Sequence, residues 1–159
     1  MVFRVLAVCF ALFLPGLSTA QGLQVAFEGF DQDAALPIEI AADQMSISQE
    51  DGSATLTGNV VIGQGDLRLA APSVEVSYSE DGGISQIVAD GGVTVVTPQE
   101  EVEARRAVYT LTDDTMVLTG DVLLSQGRSA VSADTMRVNL ATGSAQLEGR
   151  VRTVLQPNE

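Results

Sequence analysis

The sequence predicts an all-β protein, a folded antiparallel β-jellyroll (half-pipe) of about eight long bent strands. Apolar and polar residues alternate through most of the chain after residue 37, which is typical of half-buried strands. Turn-forming pairs such as Asp51-Gly52 divide this region into segments rich in Val, Ile, Thr and Leu. Residues 54–78 and 116–140 share one design, which indicates an internal repeat.

The first 20 residues have the layout of a secretory signal peptide. Arg4 precedes the apolar run 5–14, and the small residues 18–20 follow it as a cleavage site. A membrane anchor is the alternative, but the run is shorter than the roughly 20 apolar residues that a spanning helix needs. We therefore expect export with cleavage after Ala20, which would also remove Cys9, the only cysteine.

The next part of the chain, residues 21–36, has no clear period and carries three acids. We interpret it as a linker or loosely ordered arm, which includes Phe27 and Phe30. The β-jellyroll domain is predicted to span residues 37–157.

Two kinds of segment alternate within the predicted domain. In one kind, the apolar alternation changes sides at a central alanine. These alanines are Ala42, Ala71, Ala104 and Ala133. The other kind keeps its alternation in phase through a central glycine. These glycines are Gly58, Gly91, Gly120 and Gly149.

Both sets recur at intervals of 29 or 33 residues, so their members lie side by side in a stack of strands. A slip in the alternation requires a bulge or bend, and a glycine inside a strand lets the backbone bend. We therefore predict one crease that folds the sheet into two facing layers. Asp43 and Asp134 directly follow two of the crease alanines, and we expect their carboxylates to bind backbone groups that the bend frees.

The composition excludes several classes of function. The formal net charge is −13 and the chain has no lysine, which argues against nucleic acid as a partner. There is no histidine to act as a general base or metal ligand, and the mature chain would have no thiol. The densest acids, Glu100, Glu101 and Glu103, fit a solvated surface better than a calcium site. We expect no enzymatic activity, no catalytic residue, no metal and no cofactor.

Several short motifs occur in a fixed order. They are the stretches Pro37–Asp43, Leu56–Val60, Val117–Val122 and Arg150–Pro157. Together with the repeat and the signal peptide, they resemble the LptA/OstA family of periplasmic lipopolysaccharide-transport proteins (OstA-like N-terminal domain). The resemblance covers residues 37–157.

This resemblance implies a periplasmic carrier and bridge for lipopolysaccharide in outer membrane assembly. Lipid A acyl chains would lie between the two layers of the jellyroll. Protomers would join head to tail by edge-strand pairing, between an LptC-like protein at the inner membrane and an LptD-like protein at the outer membrane. Since lysine is absent, Arg68, Arg105, Arg106 and Arg128 are the candidates near the rims for lipid phosphates, with solvent and divalent ions as the alternative.

The candidate lipid-binding residues are inward aliphatic side chains. They are Ile40, Met45, Ile47, Leu56, Val60, Ile62, Leu67, Leu69, Val74, Val76, Val93, Val95, Leu111, Met116, Leu118, Val122, Leu124, Val131, Met136 and Val138. Small and aliphatic side chains could leave a slot in which acyl chains slide. The alternative is that they close on each other as an ordinary core.

Two further alternatives concern the whole protein. It could be a structural β interaction module that binds no lipid, or a membrane-tethered relative resembling LptC. The first and last strands, 38–49 and 144–156, are expected to be exposed edges for strand addition. Capping of an edge by the arm 21–36 is the competing interpretation.

Overall fold

The computed structural model describes residues 24–26, 30 and 35–155, and for 24–26 only the backbone. The predicted signal peptide, Phe27 and the end of the chain from 156 lie outside these residues. The described part forms one antiparallel sheet, and this confirms the all-β prediction. Its strands are β1 (Gln24–Ala26), β2 (Ile38–Ala41), β3 (Gln44–Ser48), β4 (Ser53–Gln64), β5 (Leu67–Tyr78), β6 (Ile84–Val96), β7 (Glu100–Thr110), β8 (Thr115–Gln126), β9 (Ser129–Asn139), β10 (Ser144–Glu148) and β11 (Arg152–Val154). A single 3₁₀ turn, Leu111–Asp113, precedes β8.

The order of the sheet follows the chain with one exception. Strands β4 to β9 pair with their neighbours in sequence, and β10 pairs with β9. The predicted first segment is split into β2 and β3, which both pair with β4. The predicted last segment is split into β10 and β11, which both pair with β9. The exception is β1, which pairs with β10 at the far end.

A crease divides the sheet into two facing half-sheets. Half-sheet A contains β1, β3, β10 and residues 53–57, 73–78, 84–90, 106–110, 115–119 and 135–139. Half-sheet B contains β2, β11 and residues 60–64, 67–71, 93–96, 100–104, 122–126 and 129–133. The long strands cross from one half-sheet to the other, so the crease runs across the middle of each.

The backbone at the crease has one repeated form. Each glycine-bearing strand crosses through two successive residues with positive φ, such as Gly58 at 78° and Asn59 at 47°. Both lie opposite the single residue Pro72, because the β4–β5 register shifts between Thr57 and Val60. Two residues against one is the definition of a β-bulge. The structure therefore confirms the predicted crease, and it explains why one strand of each pair changes its alternation.

The crease glycines pack against the bend of the preceding strand. A Cβ atom added at Gly91 would lie 2.7 Å from Pro72 Cγ, and one added at Gly58 would lie 2.5 Å from Asp43 Oδ2. Gly120 stands in the same relation to Arg105. Glycine is therefore required both by the positive φ and by the missing space.

Side-chain pairs continue along the outside of the crease. Asn59 Nδ2 donates to Asp43 Oδ2 at 2.8 Å, and Arg150 Nε donates to Asp134 Oδ1 at 2.9 Å. The Arg150 guanidinium holds the pKa of the Asp134 carboxyl below its usual 3.8. The expectation that Asp43 and Asp134 bind freed backbone is therefore wrong, because side chains of the neighbouring strand reach them. Their backbone N–H groups do bind across the crease, to Gly58 O in the case of Asp43.

A matched pair of substitutions tests the crease. Gly91 and Gly92 both have positive φ, but a Cβ atom at Gly92 would meet nothing within 4 Å. Both Gly91→Ala and Gly92→Ala carry the left-handed backbone penalty of about 1–2 kcal/mol. We expect Gly91→Ala to lose about 1–3 kcal/mol more, because it must also displace the Pro72 ring. Urea denaturation measures the difference, and equal loss in the two variants contradicts the packing explanation.

Candidate functional site

The interior between the half-sheets brings most of the predicted lipid-binding residues together. Fifteen of them are at most 4% exposed and belong to one hydrophobic cluster. They are Leu56, Val60, Ile62, Leu67, Leu69, Val74, Val76, Val93, Val95, Met116, Leu118, Val122, Leu124, Met136 and Val138. They come from both half-sheets, so the predicted inward faces do meet.

The other five predicted residues lie at the margins of the cluster. Ile40, Leu111 and Val131 are half-buried and pack against it. Met45 is 54% exposed and Ile47 is 68% exposed. Their register partners on β4 are inward residues, so both lie on the inner side of the sheet, on the edge strand β3. They therefore mark an open end of the apolar interior.

The interior is closed. A cavity between the half-sheets measures only about 10 Å³, roughly the least that admits one water molecule. Its walls include Ile62, Leu69 and Met116. No acyl chain fits into this volume. The ordinary-core alternative therefore describes this conformation, and lipid could enter only if the half-sheets separate.

The half-sheets also meet along the side opposite the crease, which we call the mouth. Here Tyr109 Oη of half-sheet A donates to Gln64 Oε1 of half-sheet B at 3.1 Å. Gln64 Nε2 donates to Leu36 O, at the end of the arm, at 3.3 Å. We call Gln64, Tyr109 and the Leu36 carbonyl the clasp. The Tyr109–Gln64 bond crosses the mouth, and the Gln64–Leu36 bond attaches the end of the arm to half-sheet B.

A second polar group lies buried on the rim of half-sheet B. Glu100 is only 2% exposed, and its carboxylate accepts from Thr97 Oγ1 at 2.6 Å and from Gln126 Nε2 at 3.1 Å. The prediction of a solvated surface is therefore wrong for Glu100 and holds for the exposed Glu101 and Glu103. Buried carboxylates are retained where hydrogen bonds satisfy them, as here.

The arginines predicted near the rims fall into two groups. Arg68 lies at the start of β5 and Arg128 in the turn before β9, both at the end of half-sheet B that forms the rim of the mouth. Arg105 and Arg106 lie at the crease, where they pair with Asp121 and Asp90. The prediction is therefore wrong for Arg105 and Arg106, because the crease and the mouth are opposite sides of the half-pipe.

The arm contributes more to the fold than its composition indicated. Phe30 is completely buried in the hydrophobic cluster, and β1 pairs with β10. The interpretation as a linker or loosely ordered arm is therefore wrong at Phe30. The competing interpretation, that the arm caps an edge of the sheet, is confirmed at β10. The available signal in the sequence was the aromatic residue itself, because a large apolar side chain gains most from burial. The edge strand β3 is exposed as predicted.

Comparison with known proteins decides the family. Residues 39–144 match the family model described as LptA/(LptD N-terminal domain) LPS transport protein. The chain belongs to this family. It is 31% identical over 139 residues to the lipopolysaccharide export system protein LptA of Escherichia coli K12, covering 80% of this chain and 75% of that protein. It is 29% identical over 159 residues to an uncharacterized protein of Rhizobium meliloti, covering 92% and 86%.

A solved structure has the same fold. LptH of Pseudomonas aeruginosa, described as an LptA-homologous periplasmic component of the lipopolysaccharide transport device, matches with a TM-score of 0.70. The sequence identity is 17%, and the match covers 79% of this chain and 99% of LptH. The family and the half-pipe fold predicted from the sequence are both confirmed.

Membership places the chain in a lipopolysaccharide-transport family, which is not a family of enzymes. Within the residues that the structure describes, no helix has both the length and the apolar character needed to cross a membrane.

The clasp makes a prediction about pH. Burial raises the pKa of the Tyr109 hydroxyl above its usual 10.0, and the nearby Asp114 carboxylate raises it further. The unfolded chain therefore ionises first, and stability should fall as the pH rises above about 10. The chain has no tryptophan and two tyrosines, so a phenolate absorbance titration is clean. Subtracting the phenolate absorbance of Tyr109→Phe from that of the wild-type protein isolates the titration of Tyr109. We expect the midpoint of this difference curve above pH 10.0, and a midpoint at or below that value contradicts the burial argument.

Proposed function

We propose that this protein is a periplasmic lipopolysaccharide carrier and bridge that binds lipid A acyl chains between its half-sheets. The observation that carries this proposal is the interior itself. One apolar cluster extends through every long strand and ends at the exposed Met45 and Ile47. A continuous aliphatic interior that reaches an exposed edge of the sheet suits hydrocarbon chains, provided that the half-sheets separate to admit them.

The energetics favour opening at the mouth. The chain itself joins the half-sheets along the crease, whereas at the mouth the clasp contributes one side-chain hydrogen bond between them, from Tyr109 to Gln64. A typical hydrogen bond contributes about 0.5–1.5 kcal/mol net. Separation also exposes aliphatic surface, but each buried lipid methylene returns about 0.8 kcal/mol. Acyl chains can therefore replace the contacts that opening removes.

The polar part of the lipid would lie at the mouth. Arg68 and Arg128 are on the rim, and the chain as a whole is strongly acidic, with a formal net charge of −13. Lipid phosphates would be repelled by this charge unless cations intervene. We therefore propose that divalent ions bridge lipid phosphates to carboxylates on the rim.

The sheet edges support assembly with other jellyrolls. Among the described residues, β2 pairs only with β4 and β11 only with β9, so half-sheet B has a free edge at each end. We propose head-to-tail pairing of protomers through these edges, with an LptC-like protein at one end of the bridge and an LptD-like protein at the other. In half-sheet A, β3 is the edge strand at the N-terminal end of the stack, and among the described residues it pairs only with β4.

Export to the periplasm, with cleavage after Ala20, is part of this proposal. The alternative is a membrane-tethered relative resembling LptC, which would keep residues 1–20. The N-terminal residue of the exported chain distinguishes them.

A closed interaction module is the second candidate function, and the tight packing of the interior favours it. It would assemble through its edges and bind no lipid. The two candidates differ in whether lipid reaches the inward side chains.

Photo-crosslinking of lipid to the unaltered protein separates these candidates. Lipopolysaccharide carrying a diazirine in an acyl chain is bound, irradiated and mapped by mass spectrometry. We expect adducts at Leu69 and Val138, which are buried on opposite half-sheets. Glu75 is the matched control, because it is exposed on the outer face of the same strand as Leu69. Labelling confined to outer residues such as Glu75 rules out the carrier and favours the closed module.

A further inference from the structure

Strand β1 is the one strand in the described part that leaves the chain order of the sheet. It pairs antiparallel with β10, so it covers the C-terminal edge of half-sheet A. The backbone register places Gln24 opposite Gln146, Val25 opposite Ala145 and Ala26 opposite Ser144.

The repeat shows which residues would otherwise stand beside β10. Ala145 and Leu147 precede the crease residue Gly149 by the same spacing as Ala54 and Leu56 precede Gly58. Within the chain, Ala54 pairs with Val76 and Leu56 pairs with Val74 on the following strand. The strand that continues the repeat after β10 must therefore carry the counterparts of Val76 and Val74.

In a second copy joined head to tail, the strand beside β10 is β3. Ile47 and Met45 follow the crease residue Ala42 by the same spacing as Val76 and Val74 follow Ala71. Ile47 of the second copy would therefore lie opposite Ala145, the position that Val25 of β1 holds. In that junction the exposed Ile47 and Met45 would adjoin the buried Ala145 and Leu147.

The direction of the strands agrees with this register. β3 runs antiparallel to β4, and β1 runs antiparallel to β10. β4 and β10 occupy equivalent places in the repeat. β1 therefore pairs with the same edge of β10, in the same direction and in the same register, as β3 of a second copy would.

We propose that β1 is an internal cap that competes with β3 of a second copy for the edge of β10. This inference rests on the proposed head-to-tail assembly and adds its regulation. A second copy can pair first at the free edges of half-sheet B, β11 and β2. Completion of the junction then requires release of β1 from half-sheet A.

A reversible disulfide tests the cap. The mature chain would contain no cysteine, so Val25→Cys/Ala145→Cys provides the single bridge and locks β1 on β10. Sedimentation across a concentration series compares the oxidised and reduced forms of this variant. We expect the oxidised form to associate about tenfold or more weakly, because its half-sheet A edge stays covered. Val25→Pro, which weakens the pairing of β1, should associate more strongly than the wild-type protein.

The matched control is Val88→Cys/Val108→Cys, which bridges β6 and β7 within the same half-sheet and leaves β1 free. Its oxidised and reduced forms should associate equally. If the Val25/Ala145 variant also associates equally in both forms, or its bridge does not form, the cap is wrong while head-to-tail assembly stands. If no form associates, including Val25→Pro, the proposed assembly fails and the cap fails with it.

Discussion

Each glycine-bearing strand crosses the crease through two left-handed residues, and the rest of the half-pipe depends on this crossing. The first residue is glycine, because the bend of the preceding strand occupies the space of a Cβ atom, as Pro72 does at Gly91. Two residues then oppose one, which turns the strand while keeping its inward face inward. Repetition along the stack aligns the bends, so a single sheet supplies both walls of the interior.

A sheet folded this way is joined by continuous backbone on one side and by side-chain contacts alone on the other. The crease is continuous backbone with ion pairs on its outer side, such as Arg150 with Asp134. The mouth is joined by the Tyr109–Gln64 bond of the clasp and by apolar contacts that hydrocarbon can replace. The closed interior and the proposed lipid function are therefore compatible. The side chains that pack against each other in the closed conformation are the ones that would contact the acyl chains. The proposed cap is a similar case at the sheet edge, because β10 would pair either with β1 of its own chain or with β3 of a second copy.

The sequence predicted what local periodicity controls. Alternation and the glycine spacing predicted the crease, the two layers and the inward faces, since side-chain direction in a strand follows its phase. It did not predict contacts made between distant segments. The arm has no period, so the burial of Phe30 and the pairing of β1 were not evident. The prediction of Arg105 near the rim is wrong, because alternation indicates the face on which a side chain lies but not the ion pairs that form at the bend.

The central claim is that the half-sheets separate at the mouth when lipid binds. Spin labels at Asp66 and Thr112, exposed on turns of opposite half-sheets beside the clasp, report this distance by pulsed electron resonance. Labels at Asp66 and Gln99, which lie on exposed connections of the same half-sheet, serve as the internal reference. Bound lipopolysaccharide should lengthen the first distance and leave the second unchanged. Saturating lipopolysaccharide that leaves both distances unchanged contradicts an interior that opens for acyl chains.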